Sequence, residues 1–188
     1  MLTLLNLKKF FSGKKVLITG HTGFKGSWLT FILKEVGAKV MGVALPPATD
    51  LNHFDLLKIE KDIHHVIADI RDTKNIVNII NKFQPEIVFH LAAQALVRTS
   101  YNDPLTTYST NIIGSVNVME AVRQSKSIRS LIYITSDKCY ENVEQVWGYR
   151  ENDQLGGKDI YSASKGSAEL IIRAYLESFF FFLLNLLF

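Results

Sequence analysis

Cysteine is nearly absent: among 188 residues only Cys139 occurs, so no internal disulfide can form and burial and hydrogen bonding must hold the fold. A chain without a disulfide framework fits a reducing compartment, and the cytoplasm is the expected location. Proline and glycine are scarce, at four and eleven, which excludes collagen-like and Pro/Gly-rich disordered chains. Neither sign of charge dominates. The net charge is +3 and no run of five like charges occurs, so no nucleic-acid partner is expected. No apolar run reaches the roughly 20 residues of a membrane helix. The strongest candidate, residues 179–188, is Phe and Leu broken only by Asn185; it reads as a buried terminal helix turn, an exposed sticky end or, by its low complexity, sequence foreign to the ancestral protein. At the start, Lys8 and Lys9 follow the apolar stretch instead of preceding it, and no small-residue cleavage site comes after, so a signal peptide is not expected. His21, His53, His64, His65 and His90 lack metal-ligand spacing, and no metal is expected.

What the chain does contain is an apolar fraction of 47%, enough for one well-buried domain. Short runs rich in Val and Ile at 16–19, 40–44, 65–68, 87–91 and 131–135 read as strands apolar on both faces. Segments with helical spacing lie between and after them, at 28–36, 74–83, 104–124 and 161–176. Strict alternation implies an α/β fold: a Rossmann-like, doubly wound parallel sheet with helices on both faces. The expected organisation is an N-terminal extension over 1–13, a dinucleotide-binding domain over 14–178 and the apolar tail over 179–188. Lys8, Lys9, Lys14 and Lys15 read as a solvated face. The long irregular stretches, 45–52 with Pro46 and Pro47 and 139–159, follow strands, where functional groups tend to sit.

Two motifs carry chemistry. Directly after the first strand stands Gly20-His21-Thr22-Gly23-Phe24-Lys25-Gly26. Glycines here allow a tight turn, close approach of the backbone to a pyrophosphate, and packing of helix on strand, with the helix N-terminus facing the phosphate charge. Gly20, Thr22, Gly23, Phe24, Lys25 and Gly26 are therefore the candidate cofactor-binding residues. The acid that often grips the adenosine ribose is missing where the second strand ends, at Ala44-Leu45-Pro46, and no Arg favouring a 2′-phosphate replaces it. Asp69-Ile70 ends the third strand, where a carboxylate can accept from an adenine amino group, whereas Asp72 reads as a helix cap. The second motif is Tyr161-Ser162-Ala163-Ser164-Lys165. Four residues along a helix return to one face, so phenol and ammonium share a site, and a nearby cation favours the phenolate that a base for an alcohol proton requires.

With these motifs in place the sequence resembles the extended short-chain dehydrogenase/reductase family, through Gly20, Gly23 and Gly26, Asp69-Ile70, Leu91-Ala92-Ala93-Gln94, Asn111, and Tyr161 with Lys165. Within it, Thr135-Ser136-Asp137-Lys138-Cys139-Tyr140 is similar to the strand end of the nucleotide-sugar 4,6-dehydratases. Most of these carry Thr-Asp-Glu there; Lys138 in place of the Glu marks one branch, to which 42–54 and 95–101 are also similar. The resemblance implies NAD as cofactor, held also by Leu91, Ala92, Ala93, Tyr161 and Lys165, and a nucleotide-sugar substrate touched by Gln94, Arg98 and Ser136. It implies Tyr161 as base for the sugar 4-hydroxyl, Ser136 holding that hydroxyl, Lys165 on the nicotinamide ribose, Asp137 as acid for the departing 6-hydroxyl and Lys138 as base at C5. For that last role Lys138 needs desolvation or a cationic neighbour.

Members of that group are substantially longer, so the resemblance also implies a chain truncated before the C-terminal substrate lobe. Three readings stay open: a dehydratase or its N-terminal part, a non-catalytic cofactor-binding remnant, and an epimerase, which would lack the acid and base pair. A homodimer through the helices at 104–124 and 161–176 is implied by analogy.

Overall fold

The computed structural model describes residues 3–180. The chain divides into two compact units, Met1–Ala92 with Gln124–Ile134, and Ala93–Arg123 with Thr135–Phe188.

The first unit is a five-stranded sheet in the order β3-β2-β1-β4-β5, built from β1 (Lys15–Thr19), β2 (Lys39–Ala44), β3 (His64–Ile67), β4 (Ile87–His90) and β5 (Ser130–Tyr133). Every pairing is parallel, with Val16 opposite Val40 on one side and Ile87 on the other. The chain runs outward from β1 to β3, then returns to the other side of β1, which puts a topological switch point between β1 and β4, where open α/β sheets bind ligands. The expected strands are all present. Those flanked on both sides are buried as their composition requires: Val16, Ile18, Val40 and Val88 are at most 2% exposed. The edge strands depart from that expectation. His64 and Ile67 of β3 are exposed, because an edge has a neighbour on one side only.

Helix α2 (Phe24–Glu35) supplies Leu33 to the core formed with Val16, Ile18, Val36, Val40 and Ile87. Burying each such side chain contributes roughly 1.5–3 kcal/mol. Helix α4 (Thr73–Phe83) buries Ile76, Ile80 and Phe83 at helical spacing, and Asp72 caps it by accepting from Asn75 N at 3.1 Å. In the first unit two short α-helices stand where none was expected. Helix α1 (Leu4–Phe11) is capped by Thr3 and lays Leu7 and Phe11 against the core, and α3 (His53–Leu57) is capped by Asn52 and buries Phe54. The lysines after α1 are not simply solvated: Lys14 pairs with Glu86 at 3.3 Å and Lys15 lies over the Phe83 ring.

The second unit is helical. Helices α5 (Val97–Asn102), α6 (Pro104–Tyr108), α7 (Ser115–Gln124) and α8 (Ile160–Tyr175) are joined by irregular chain. The segment expected as one helix over 104–124 is continuous, but its turn widens to π-type geometry over Ser109–Gly114. Such widened turns recur at functional sites. A short 3₁₀ turn, Asp137–Cys139, leads into the 139–159 stretch, which folds back on itself through Glu141 N to Gln154 O and Gly156 N to Cys139 O, both 2.9 Å. No described helix is long and apolar enough to cross a membrane. The tail expectation for 181–188 lies outside the described residues.

Candidate active site

In the first unit, β1 ends in the turn that begins at Gly20, whose φ of +77° lies in the left-handed region open to glycine. A Cβ at Gly20 would stand 2.7 Å from Ala92 N, and one at Gly26 would stand 2.1 Å from the Gly20 carbonyl oxygen. Any larger residue at either position would force the turn apart. Gly23 begins α2 as a cap without a side-chain hydrogen bond, and no acidic residue occupies the first helical turn. The exposed Phe24 and Lys25 follow. The result is a helix N-terminus carrying about half a positive charge, bare of side-chain acceptors, which suits a diphosphate. The turn is braced from β4: Leu91 N donates to Thr19 O at 3.1 Å, and Ala92 N donates to Thr19 Oγ1 at 3.2 Å. Thr22 Oγ1 donates to Leu45 O at 2.9 Å, tying the loop to the end of β2.

At the end of β3, Asp69 accepts from Arg71 N at 2.8 Å, Nε at 2.9 Å and Nη2 at 2.6 Å. The Arg71 hydrogen bonds hold its carboxyl below the usual range, although partial burial opposes them. Ile70 beside it is buried.

In the second unit, Asp159 caps α8 by accepting from Ser162 N at 3.0 Å and Ser162 Oγ at 2.6 Å. Burial pushes the Asp159 carboxyl up, and the Ser162 and Tyr161 donors bring it below its ordinary value. The cap fixes the first turn of α8, and Tyr161 and Lys165 both fall on its buried face, 8% and 6% exposed. Lys165 Nζ lies 5.9 Å from the centroid of the Tyr161 ring. Across from them, Ser136 Oγ donates to Asp137 Oδ1 at 2.9 Å and accepts from Lys138 N at 3.3 Å, so one serine shapes the strand-end turn.

Electrostatically the face is an acid–base site at rest. Burial pushes the Tyr161 phenol above its ordinary value, hydrogen bonding with Ser136 pulls the other way, and Asp137 and Asp159 add to the rise. The expected lowering by Lys165 does not govern this state; Tyr161 is a phenol, linked to Ser136 and ringed by carboxylates. Burial pushes Lys165 down, opposed by Cys139 and Glu169. No described side chain or carbonyl bonds or pairs with the Lys165 ammonium. A lysine 6% exposed whose ammonium has no hydrogen-bond or ion-pair partner among the described residues fits a site that offers its charge to ligand hydroxyls, as a nicotinamide ribose would provide.

The structure brings Ser136, Asp137, Tyr161 and Lys165 together. Lys138 follows in the same turn but is exposed, so the described residues do not desolvate it. Gln94 stands close by in sequence logic but its amide is engaged internally: Nε2 donates to Thr107 Oγ1 at 2.8 Å, and Oε1 accepts from Leu96 N at 2.6 Å. Arg98 is exposed on α5, and Ala93 is half-buried. Buried Asn111 stitches this unit together. It accepts from Gln94 N at 2.8 Å and donates to Ser164 Oγ at 2.9 Å, and Ser164 Oγ in turn donates to Tyr161 O at 2.6 Å. Sequence reasoning missed Asp159, Ser164 and Glu169. The Asp–x–x–Ser pattern at 159–162 is a legible cap signal, whereas nothing local announces Glu169, whose partner Thr135 lies far away in sequence.

A parallel sheet in the order β3-β2-β1-β4-β5 opening on a glycine turn defines the Rossmann-like class of α/β fold. The chain belongs to the GDP-mannose 4,6 dehydratase family, matched over residues 17–188. It is 53% identical to CDP-glucose 4,6-dehydratase of Salmonella typhimurium, over 92% of this chain and 48% of that protein. It is 32% identical to CDP-paratose 2-epimerase of Salmonella typhi, over 88% of this chain and 54% of that one. Among solved structures, UDP-glucose 4-epimerase of Thermus thermophilus in complex with NAD superposes with a TM-score of 0.76 at 28% identity, covering 88% of this chain and 51% of the epimerase. The chain thus spans about half the length of the relatives it matches.

Proposed function

We propose that this chain carries the cofactor-binding and acid–base half of an NAD-dependent hydro-lyase that converts CDP-glucose to CDP-4-keto-6-deoxyglucose and water. The observation that carries the reading is the strand-end sequence Ser136-Asp137-Lys138 brought to the buried Tyr161–Lys165 face, together with 53% identity to a CDP-glucose 4,6-dehydratase. NAD, when bound, would supply a hydride acceptor and donor, so that the oxidation at C4 and the reduction at C6 of one sugar would need no outside oxidant or reductant.

The chain's residues handle the protons. Tyr161, with Ser136 holding the sugar 4-hydroxyl, takes the hydroxyl proton as the C4 ketone forms. The ketone acidifies the C5 hydrogen, which Lys138 removes as a proton, and Asp137 protonates the departing 6-hydroxyl so that it leaves as water; Lys138 then returns a proton to C5 as C6 is reduced. The exposure of Lys138 means that substrate, or chain beyond these elements, must supply the desolvation a lysine base needs. In the first unit the backbone turn at Gly20, Gly23 and Gly26, with Thr22, Phe24, Lys25, Asp69, Ile70, Leu91 and Ala92, would hold NAD; in the second unit the residues offered to it are Ala93, Tyr161 and Lys165. Gln94 shapes the substrate loop through its internal bonds, and Arg98 offers a cation to the substrate diphosphate. The location is cytoplasmic, in deoxysugar and O-antigen synthesis, and the working form is a homodimer.

The test is incubation of the purified chain with CDP-glucose and NAD. Alkali-induced absorbance of a 4-keto-6-deoxy sugar is the expected result. A 4-epimer without loss of water would replace this reading with an epimerase, and NAD binding without any product would make the chain a cofactor-binding remnant.

A further inference from the structure

Lys165 is a buried residue whose ammonium no described residue bonds or pairs with in an ion pair, so something must offset the cost of keeping it charged. The titratable and charged groups around it are Tyr161 on its own helix, Cys139 from the 3₁₀ turn, Glu169 four residues on along α8, and Asp137 and Asp159, which act on Tyr161. Tyr161 is a neutral phenol. The Cys139 thiol is pushed up by burial, and further by Glu169, so it too is neutral at physiological pH. Glu169 is the carboxylate one helical turn from Lys165 on the same side of α8. Its carboxylate is not free to swing into solvent. Thr135 Oγ1 donates to Glu169 Oε1 at 2.5 Å, a bond spanning 34 residues of sequence between the strand end and the helix.

Resting on the proposed cofactor role of Lys165, we infer that Glu169 is a positioning residue: pinned by the Thr135 hydroxyl, it is the counter-charge that keeps the buried Lys165 ammonium protonated beside Tyr161. The same bond fixes Thr135, and through it the start of the turn at Ser136 and Asp137. One carboxylate therefore links the strand end to the helix that carries the acid–base pair.

The experiment follows acylation of Lys165 by trace acetic anhydride across a pH range in the cofactor-free chain, read by peptide mass spectrometry with exposed Lys126 as internal reference. Loss of the counter-charge in Glu169→Gln shifts Lys165 titration to lower pH and raises its relative labelling near pH 8 by roughly three- to tenfold, as expected when a lysine deprotonates more readily. Glu169→Asp, which keeps the charge, stays within roughly twofold of the unaltered chain. Unchanged labelling in Glu169→Gln, or an equal rise in Glu169→Asp, would overturn the inference. Should Glu169→Gln fail to fold, Thr135→Val releases the carboxylate from its pin; increased Lys165 labelling then supports the inference and unchanged labelling overturns it. A separate arm adds NAD to the unaltered chain. Protection of Lys165 there bears on the cofactor role alone, so the two claims fail independently.

Discussion

Acidification should weaken the first unit through His21, the second residue of the glycine turn. Its ring is fully buried, with Nε2 2.6 Å from His65 Nδ1 and Phe54 edge-on at 5.2 Å. Gly42 makes room for it, since a Cβ there would stand 2.3 Å from His21 Cγ. Burial first, and then the neighbouring His65, lower its pKa from 6.5 to about 4, against a contribution from the Val43 backbone. The folded chain therefore holds His21 neutral where the unfolded chain binds a proton. Stability from this source is complete above pH 6.5 and is lost as pH falls toward 4. A gap of about 2.5 pH units at 1.36 kcal/mol each amounts to about 3 kcal/mol, a large share of the roughly 5–15 kcal/mol that holds a domain together. Urea unfolding followed by circular dichroism near pH 7 and near pH 4, in the unaltered chain and in His21→Gln, isolates the effect. Carboxylates that lose their bonds in acid, such as Asp69 and Asp159, contribute to both proteins alike. The unaltered chain is expected to lose about 3 kcal/mol more than the variant. Parallel losses would refute the assignment of a buried neutral histidine.

Other substitutions probe the site directly. Gly26→Ala, whose Cβ would meet the Gly20 carbonyl at 2.1 Å, should abolish NAD binding by calorimetry and destabilise the chain by about 1–3 kcal/mol, as overpacking does. Asp159→Ala removes the cap of α8 and should cost about 1 kcal/mol, seen as a fall in Tm of about 2–4 °C, with Asp159→Asn close to unchanged. Tyr161→Phe should lower turnover by roughly 10²–10⁴-fold, whereas Lys138→Ala should stop exchange of the C5 hydrogen with deuterated solvent; persistent exchange would remove Lys138 from its role.

The sheet was legible in the sequence because its strands are short apolar runs with no competing helical period, and Val16, Val40 and Val88 are indeed inside. The short helices were not. Helix α3 spans five residues after a proline pair and exists through its Asn52 cap and the burial of Phe54, while α1 is held by Leu7 and Phe11 packing on a sheet distant in sequence. The π-type widening at Ser109–Gly114 left no compositional mark, though it carries Asn111, whose amide bonds reach Gln94 and Ser164. Within the site, Tyr161 and Lys165 were readable from spacing, since a helix returns to one face every four residues. Their electrostatic state was not readable, because it is set by burial and by Ser136, Asp137, Cys139 and Glu169, which only the fold brings near.

The reading of this chain as a dehydratase rests on hydrogen passing from C4 to C6 of a single sugar. Incubation with C4-deuterated CDP-glucose and NAD, followed by mass spectrometry of the product, tests that directly. The account predicts a 4-keto-6-deoxy sugar retaining deuterium at C6; a keto product whose deuterium has been lost to water, or recovery of unchanged substrate alone, would contradict it.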